Sequence, residues 1–118
     1  MTTVALFGAA GKMGTRISEK LRLREEYDMR YVEGNARAED QLRRRGLQPA
    51  ESETAAKESD IVILAVPDIA IGPVAEQIVP KLRSGAMVIC LDPAAPYGGE
   101  LPDRADITYF VTHPCHPP

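Results

Sequence analysis

No apolar run in the sequence approaches the roughly twenty residues a helix needs to cross a bilayer, so nothing in it reads as a helical membrane span. Only two cysteines are present, Cys90 and Cys115, too few for a disulfide framework. Cys90 sits inside an apolar run and reads as a buried free thiol. Neither sign of charge is in strong excess. A net charge of −3 gives no electrostatic reason to expect nucleic acid or an anionic membrane as a partner. Internal repeats and low-complexity segments are missing. Met1-Thr2-Thr3 leads directly into apolar residues, with no basic region and no signal-peptide core, and the expectation is a reduced, cytoplasmic protein.

What is present is an ordinary globular balance. The 118 residues are 44% hydrophobic and 26% charged, enough for one domain with a modest core. Apolar runs alternate with helix-like stretches. Thr3 to Phe7 is a short continuous apolar run, as in a strand buried on both faces. Lys12 to Arg24 reads as a helix, with Met13, Ile17 and Leu21 on one side and Glu19, Lys20, Arg22 and Arg24 on the other. Met29 to Glu33 is a second strand. Ala38 to Arg45 is a polar helix with Leu42 facing inward and Gly46 as its stop. Leu47 to Ala50 reads as a short third strand, and Glu51 to Glu58 as a short helix with Ser52 in the cap position.

Ile61 to Val66 is the strongest strand, stopped by Pro67-Asp68. Ile71, Val74, Ile78 and Leu82 form a helical stripe, with Pro73 expected in its first turn. Met87 to Leu91 and Ile107 to Val111 complete six strands. Arg43-Arg44-Arg45 reads as an exposed helix face, and Tyr97-Gly98-Gly99 as a flexible loop. Strands with intervening helices predict an α/β fold of the Rossmann type over residues 1–118: a doubly wound parallel sheet of about six strands, order 3-2-1-4-5-6. Ligands in such a sheet collect at the C-terminal ends of the strands. The turns expected there are Gly8–Gly14, Ala65–Asp68, Asp92–Pro93 and Thr112–His116.

Gly8-Ala9-Ala10-Gly11-Lys12-Met13-Gly14 joins the first strand to the first helix. A pyrophosphate lying on backbone N–H groups at a helix N-terminus requires small residues there. Gly8 would allow the sharp turn, Gly11 the approach of the phosphates, and Gly14 the packing of helix on strand. The spacing is G-x-x-G-x-x-G, and its context, after a strand and opening an amphipathic helix, carries more weight than the glycines alone. No Gly-Lys-Ser/Thr closes the motif, so a Walker loop is not indicated. The bland alternative is a tight turn that binds nothing. Expected cofactor contacts are Gly8, Ala10, Gly11, Lys12, Met13, Gly14, Ala65, Val66 and Pro67, with Asp68 divided between cofactor contact and helix capping. Glu33 ends the second strand, where an acidic residue accepts hydrogen bonds from the adenine ribose and repels a 2′-phosphate, favouring NAD over NADP. Arg37 argues the other way.

Val4 to Gly14, with Ile63-Leu64-Ala65-Val66-Pro67-Asp68, resembles the N-terminal half of the 6-phosphogluconate and 3-hydroxyacid dehydrogenase superfamily. Leu91-Asp92-Pro93-Ala94-Ala95 and Tyr109 to Pro118 narrow the resemblance to the D-apionate oxidoisomerase group, NAD-using enzymes of branched-sugar-acid breakdown. The resemblance implies NAD-dependent oxidation of a hydroxyl on a small polyhydroxy acid. It also implies a helical C-terminal domain that completes the substrate pocket and often builds a homodimer. That domain is absent from these 118 residues, so the expectation is a fragment that holds the cofactor without turning over substrate.

His113 and His116 bracket Pro114-Cys115 just past the sixth strand. One reading is catalytic: a histidine orients or deprotonates a hydroxyl as its carbon gives hydride to the nicotinamide. A second is a divalent metal held by His113, with or without His116, for which no third ligand stands out. The third is loop histidines without a role. Two rival functions stay open at this level: a non-catalytic NAD-binding or regulatory module, and a dehydrogenase of prephenate or another 3-hydroxy acid.

Overall fold

The structure, a computed structural model, describes residues 2–66, 68–90 and 105–111, with backbone only at 68–71 and 111. Five strands, β1 (Thr2–Phe7), β2 (Tyr27–Val32), β3 (Ile61–Leu64), β4 (Met87–Cys90) and β5 (Thr108–Val111), form one sheet in the order β2-β1-β3-β4-β5. Every pairing is parallel. The connections are α1 (Lys12–Leu21), α2 (Ala36–Arg44), α3 (Ser52–Glu58) and α4 (Asp68–Ile78), the last continued by a 3-10 turn over Val79–Lys81. None of the described helices is long and apolar enough to cross a membrane.

Alternate residues of each strand feed two separate cores, one per sheet face. Val4, Leu6, Tyr31 and Ile63 pack with Leu42 of α2 and with Ile17 and Leu21 of α1. Ala5, Phe7, Val32, Val62, Leu64, Val88 and Cys90 pack with Ala55 and Ala56 of α3 and with Ala75 and Ile78 of α4. Helices thus cover both faces, which is why Val4–Phe7 of β1 and all of the central strands β3 and β4 are apolar without a gap, whereas β2 carries Asp28 and Arg30. The fold is the doubly wound, Rossmann-like one expected. Cys90 is a buried free thiol, and burial pushes its pKa up.

The expected third strand, Leu47 to Ala50, shrinks to one parallel bridge between Tyr31 and Pro49, with the Ala50 N–H donating to the Tyr31 carbonyl at 2.7 Å. Pro49 has no N–H to extend a ladder, so pairing stops there. Counting that bridge as an edge, the order 3-2-1-4-5-6 is retained; the sheet proper has five strands.

Several boundaries move. α1 ends at Leu21 rather than Arg24, and Leu23 is exposed. The chain is already joining the sheet by Glu26, whose carbonyl accepts from the Thr2 N–H at 3.0 Å, so β2 starts two residues before Met29. α3 is capped by Glu51, not Ser52: the Glu51 carboxylate accepts from the N–H groups of Glu53 (2.8 Å) and Thr54 (3.0 Å). Pro73 lies inside α4 rather than in its first turn. It is exposed there, while Ala75 and Ile78 beside it are fully buried and hold the helix to the sheet. Gly46 does stop α2, at φ +78, with Leu47 N–H returning to the Leu42 carbonyl at 2.9 Å.

Candidate functional site

At the C-terminal edge of the sheet, β1, β2 and β3 end side by side. Their exits are stitched together by the backbone. Gly8 and Ala9 N–H both donate to the Val32 carbonyl (3.0 and 3.3 Å), and Ala65 N–H donates to the Phe7 carbonyl at 2.8 Å. The glycine loop is therefore held on its two neighbours before any ligand arrives.

Each glycine of the loop has its own constraint. Gly8 has φ +82, and a side chain there would strike the Ala65 carbonyl. Gly14 is buried in α1, where an added methyl would collide with the Gly8 carbonyl oxygen and lie 2.8 Å from Ala9 Cα. These two serve the turn and the helix-on-strand packing, as the sequence suggested. Gly11 differs. Its φ is −72, it is exposed, and an added Cβ would meet only the Gly8 carbonyl oxygen, at 3.3 Å. Of the three glycines, Gly11 is the least constrained by its surroundings.

Gly11 is also the N-cap of α1 and has no side chain with which to satisfy the first-turn N–H groups. Those amides, at Lys12, Met13 and Gly14, have no partner within the helix by construction. The helix dipole adds a partial positive charge at the same point. Lys12 is exposed and Met13 half-buried. The chemistry on offer is that of an anion seat.

Glu33 stands immediately after β2 and is half-buried. Its Oε2 accepts from the Ala10 N–H of the glycine loop at 2.7 Å, and its Oε1 accepts from the Gly34 N–H at 3.2 Å. The carboxylate thus reaches across to the loop. A carboxylate has about four acceptor directions, so these two bonds leave capacity for hydroxyl donors.

Two cavities flank Glu33. One, of about 440 Å³, is lined by Phe7, Gly8, Val32, Asn35, Ser52, Val66, Val74 and Gln77 as well as by Glu33. The other, of about 260 Å³, is lined by Gly8, Ala10, Gly11, Ala38, Gln41, Ala65 and Val66. Gly8, Glu33 and Val66 belong to both, so the two form one trench over the strand ends. Of the residues singled out in the sequence, Gly8, Ala10, Gly11, Glu33, Ala65 and Val66 line it.

Asp68 is the first residue of α4 rather than the residue before it, and its side chain lies outside those described. Pro67, His113 and His116 lie outside the described residues, as do Asp92 and Pro93. Among the described residues there is no cluster of three His, Cys, Asp or Glu side chains able to hold a metal.

Sequence reading missed several participants. Asn35 caps α2 through its side chain, accepting from the Ala38 N–H at 2.9 Å, and its place beside Glu33 puts it in the trench. Val74 and Gln77 face the trench from α4, three residues apart on one helical side. Arg45 is the clearest correction. It does not belong to an exposed triple-arginine face, because its guanidinium turns inward to Ser18 Oγ (2.6 Å) and Glu19 (3.0 Å) and is only 23% exposed. Arg43, by contrast, pairs on the surface with Asp40.

The family described as NADP oxidoreductase, coenzyme F420-dependent, matches residues 3–95. A curated D-apionate oxidoisomerase from Cupriavidus necator is 52% identical over 97% of this chain and 41% of its own length. A second, from Rhizobium rhizogenes, is 51% identical over 100% of this chain and 43% of its own. Among solved structures, a semialdehyde dehydrogenase NAD-binding protein from Cupriavidus necator, in complex with calcium and NAD, superposes with a TM-score of 0.89 at 50% identity. It covers 99% of this chain and 42% of that one. The chain thus spans about two-fifths of the length of the curated relatives it matches.

Proposed function

The chain belongs to the family described as NADP oxidoreductase, coenzyme F420-dependent, and on that premise we propose that it is the NAD-holding part of an oxidoreductase acting on a sugar acid, D-apionate foremost. The observation that carries this reading is the trench itself, with the Gly11-capped helix N-terminus at one side and the Glu33 carboxylate between its two cavities. The relatives named above supply the substrate class.

In this reading the Gly8–Gly14 loop takes the pyrophosphate on the first-turn amides of α1. Glu33 accepts from the adenine ribose hydroxyls, and the adenine side lies toward Asn35, Val74 and Gln77. The family description names NADP, and Arg37, exposed in the first turn of α2, could meet a 2′-phosphate, but the carboxylate at position 33 lies in the trench itself and repels one. NAD is therefore the cofactor proposed. Bound there, it supplies a hydride acceptor. Ala65 and Val66 face the nicotinamide half, and His113, with His116, meets the substrate hydroxyl as base or orienting group. The remaining three-fifths of such a protein closes the substrate pocket and pairs two copies. A divalent metal at His113 is a secondary proposal, resting on the calcium in the Cupriavidus necator complex.

Calorimetric titration of this chain with NAD and with NADP is the direct test. NAD binding that exceeds NADP binding at least tenfold supports the reading, and NADP preference reverses the cofactor. For the substrate, a longer protein containing this chain is assayed for NADH formation on D-apionate, a 3-hydroxy acid and prephenate. His113→Gln in that protein is expected to lose turnover with NAD affinity unchanged.

A further inference from the structure

The Ala9–Ala10 peptide of the glycine loop is held from both ends. Its N–H donates to Glu33 Oε2 at 2.7 Å, and its carbonyl oxygen faces Arg45 Nη1 at 3.5 Å. The chain has no cis peptide bonds among its described residues, so these two groups point in opposite directions from one rigid plane. An anionic side chain meets the positive end of the peptide dipole and a cationic one meets the negative end. The two side chains come from opposite ends of α2, Glu33 three residues before it and Arg45 directly after it.

Arg45 is itself anchored. Its Nη2 donates to Ser18 Oγ at 2.6 Å and to Glu19 at 3.0 Å. Ser18 is fully buried and donates in turn to the Thr15 carbonyl at 2.9 Å, inside α1. The guanidinium therefore lies at a position defined by α1, and the 3.5 Å approach to Ala9 is set by that anchoring rather than by the loop.

We propose that Arg45 is a positioning residue for the dinucleotide: with Glu33 it grips the Ala9–Ala10 peptide and sets the direction in which the Ala10 N–H faces the trench. This rests on the NAD reading above and deepens it. When Glu33 also accepts from ribose hydroxyls, Arg45 still holds the other end of the peptide. A flipped peptide would aim the Ala9 carbonyl oxygen at the Glu33 carboxylate and at any phosphate, and would withdraw an N–H from both. The Arg45 guanidinium and the Glu33 carboxylate each oppose that flip.

The test uses amide resonances of the 118-residue chain without nucleotide, followed by titration with NAD. In Arg45→Met the Ala10 amide is expected to shift and to exchange with solvent at least tenfold faster, while the Leu6 and Val62 amides in the sheet keep their wild-type shifts. The NAD dissociation constant is expected to rise about tenfold, and Arg45→Lys to fall between the two. An Ala10 amide unchanged in a folded Arg45→Met chain overturns the proposal. Should Arg45→Met fail to fold, Arg45→Lys carries the same comparison, and an unchanged Ala10 amide there overturns it equally. If the wild-type chain binds no NAD yet the Ala10 amide responds to Arg45, the grip stands and the NAD reading falls.

Discussion

Glu33 and Ala10, twenty-three positions apart, meet through a 2.7 Å hydrogen bond from the Ala10 N–H to the Glu33 carboxylate. That bond ties the end of β2 to the loop after β1 and leaves a negative charge in the middle of the trench. Hydrogen bonds to a charged acceptor contribute about 1.5–3 kcal/mol. Glu33→Ala is expected to weaken NAD binding by roughly tenfold or more, a change of about 1.4 kcal/mol per factor of ten, and to narrow the gap between NAD and NADP. Calorimetry on both nucleotides reads it. Equal NAD affinity in the variant would remove Glu33 from the cofactor site.

Gly11 and Gly14 should part company when substituted. Gly14→Ala forces a methyl into the Gly8 carbonyl and is expected to cost roughly 1–3 kcal/mol, as overpacking does. Gly11→Ser needs only a slight shift of the Gly8 carbonyl, 3.3 Å from the added Cβ, and at the N-cap its hydroxyl oxygen accepts from a first-turn amide of α1. It should leave the melting temperature level or higher while lowering NAD affinity at least tenfold, because the serine takes the place meant for phosphate. Thermal melts and titrations on the two variants decide the matter. A Gly11→Ser chain that binds NAD normally contradicts the anion seat.

Alkaline pH should loosen the fold through two buried acids. Burial raises the Cys90 thiol above its usual 9.0, and burial raises the Tyr31 phenol above its usual 10.0. Both are neutral in the folded chain and ionise more readily when unfolded. Their contribution is therefore complete below about pH 9 and is lost as pH rises through the folded values, at up to about 1.4 kcal/mol per group per pH unit. Urea midpoints at pH 8, 9 and 10 should fall more steeply for the wild type than for Cys90→Ala. Parallel slopes would show that Cys90 does not contribute.

The opposite end of the sheet supplies a control. Asp60, just before β3, accepts from the Thr3 N–H at 3.0 Å and pairs with Arg83. Both side chains are about half exposed (47% for Asp60, 53% for Arg83), so the ion pair contributes only about 0–1 kcal/mol. Asp60→Ala should lower the melting temperature by a few degrees and leave NAD affinity within twofold of wild type. A tenfold loss of NAD binding in this variant would mean that the nucleotide does not sit at the C-terminal edge.

Much of this was legible from local pattern. Thr3 to Phe7 read as a doubly buried strand, and Ile61 to Val66 as the strongest one, because a strand covered on both faces has no polar alternation. Gly8 and Gly14 were assigned their parts from position alone, since a sharp strand-to-helix turn and a close helix–strand contact each exclude a side chain. Cys90 was placed in the core by its apolar neighbours. The edge was harder. Leu47 to Ala50 has strand composition, yet Pro49 limits it to a single bridge with Tyr31, and composition does not count hydrogen bonds. Glu51 displaced Ser52 as the cap because its longer side chain folds back onto two amides, a choice between adjacent residues that propensity does not resolve.

The sequence by itself determined the order of strands and helices, the glycine loop between the first of each, and an acidic residue at the end of β2. These depend on neighbours within a few positions, where periodicity and backbone sterics act. Only the tertiary structure decided that Glu33 bonds to Ala10, that Arg45 turns inward to Ser18 and the Ala9 carbonyl, and that Asn35, Val74 and Gln77 share a trench with the loop. Those relationships join atoms twenty or more residues apart. They are set by how the helices dock on the sheet, because a side chain's partner depends on which backbone reaches it, and no local pattern encodes that distance.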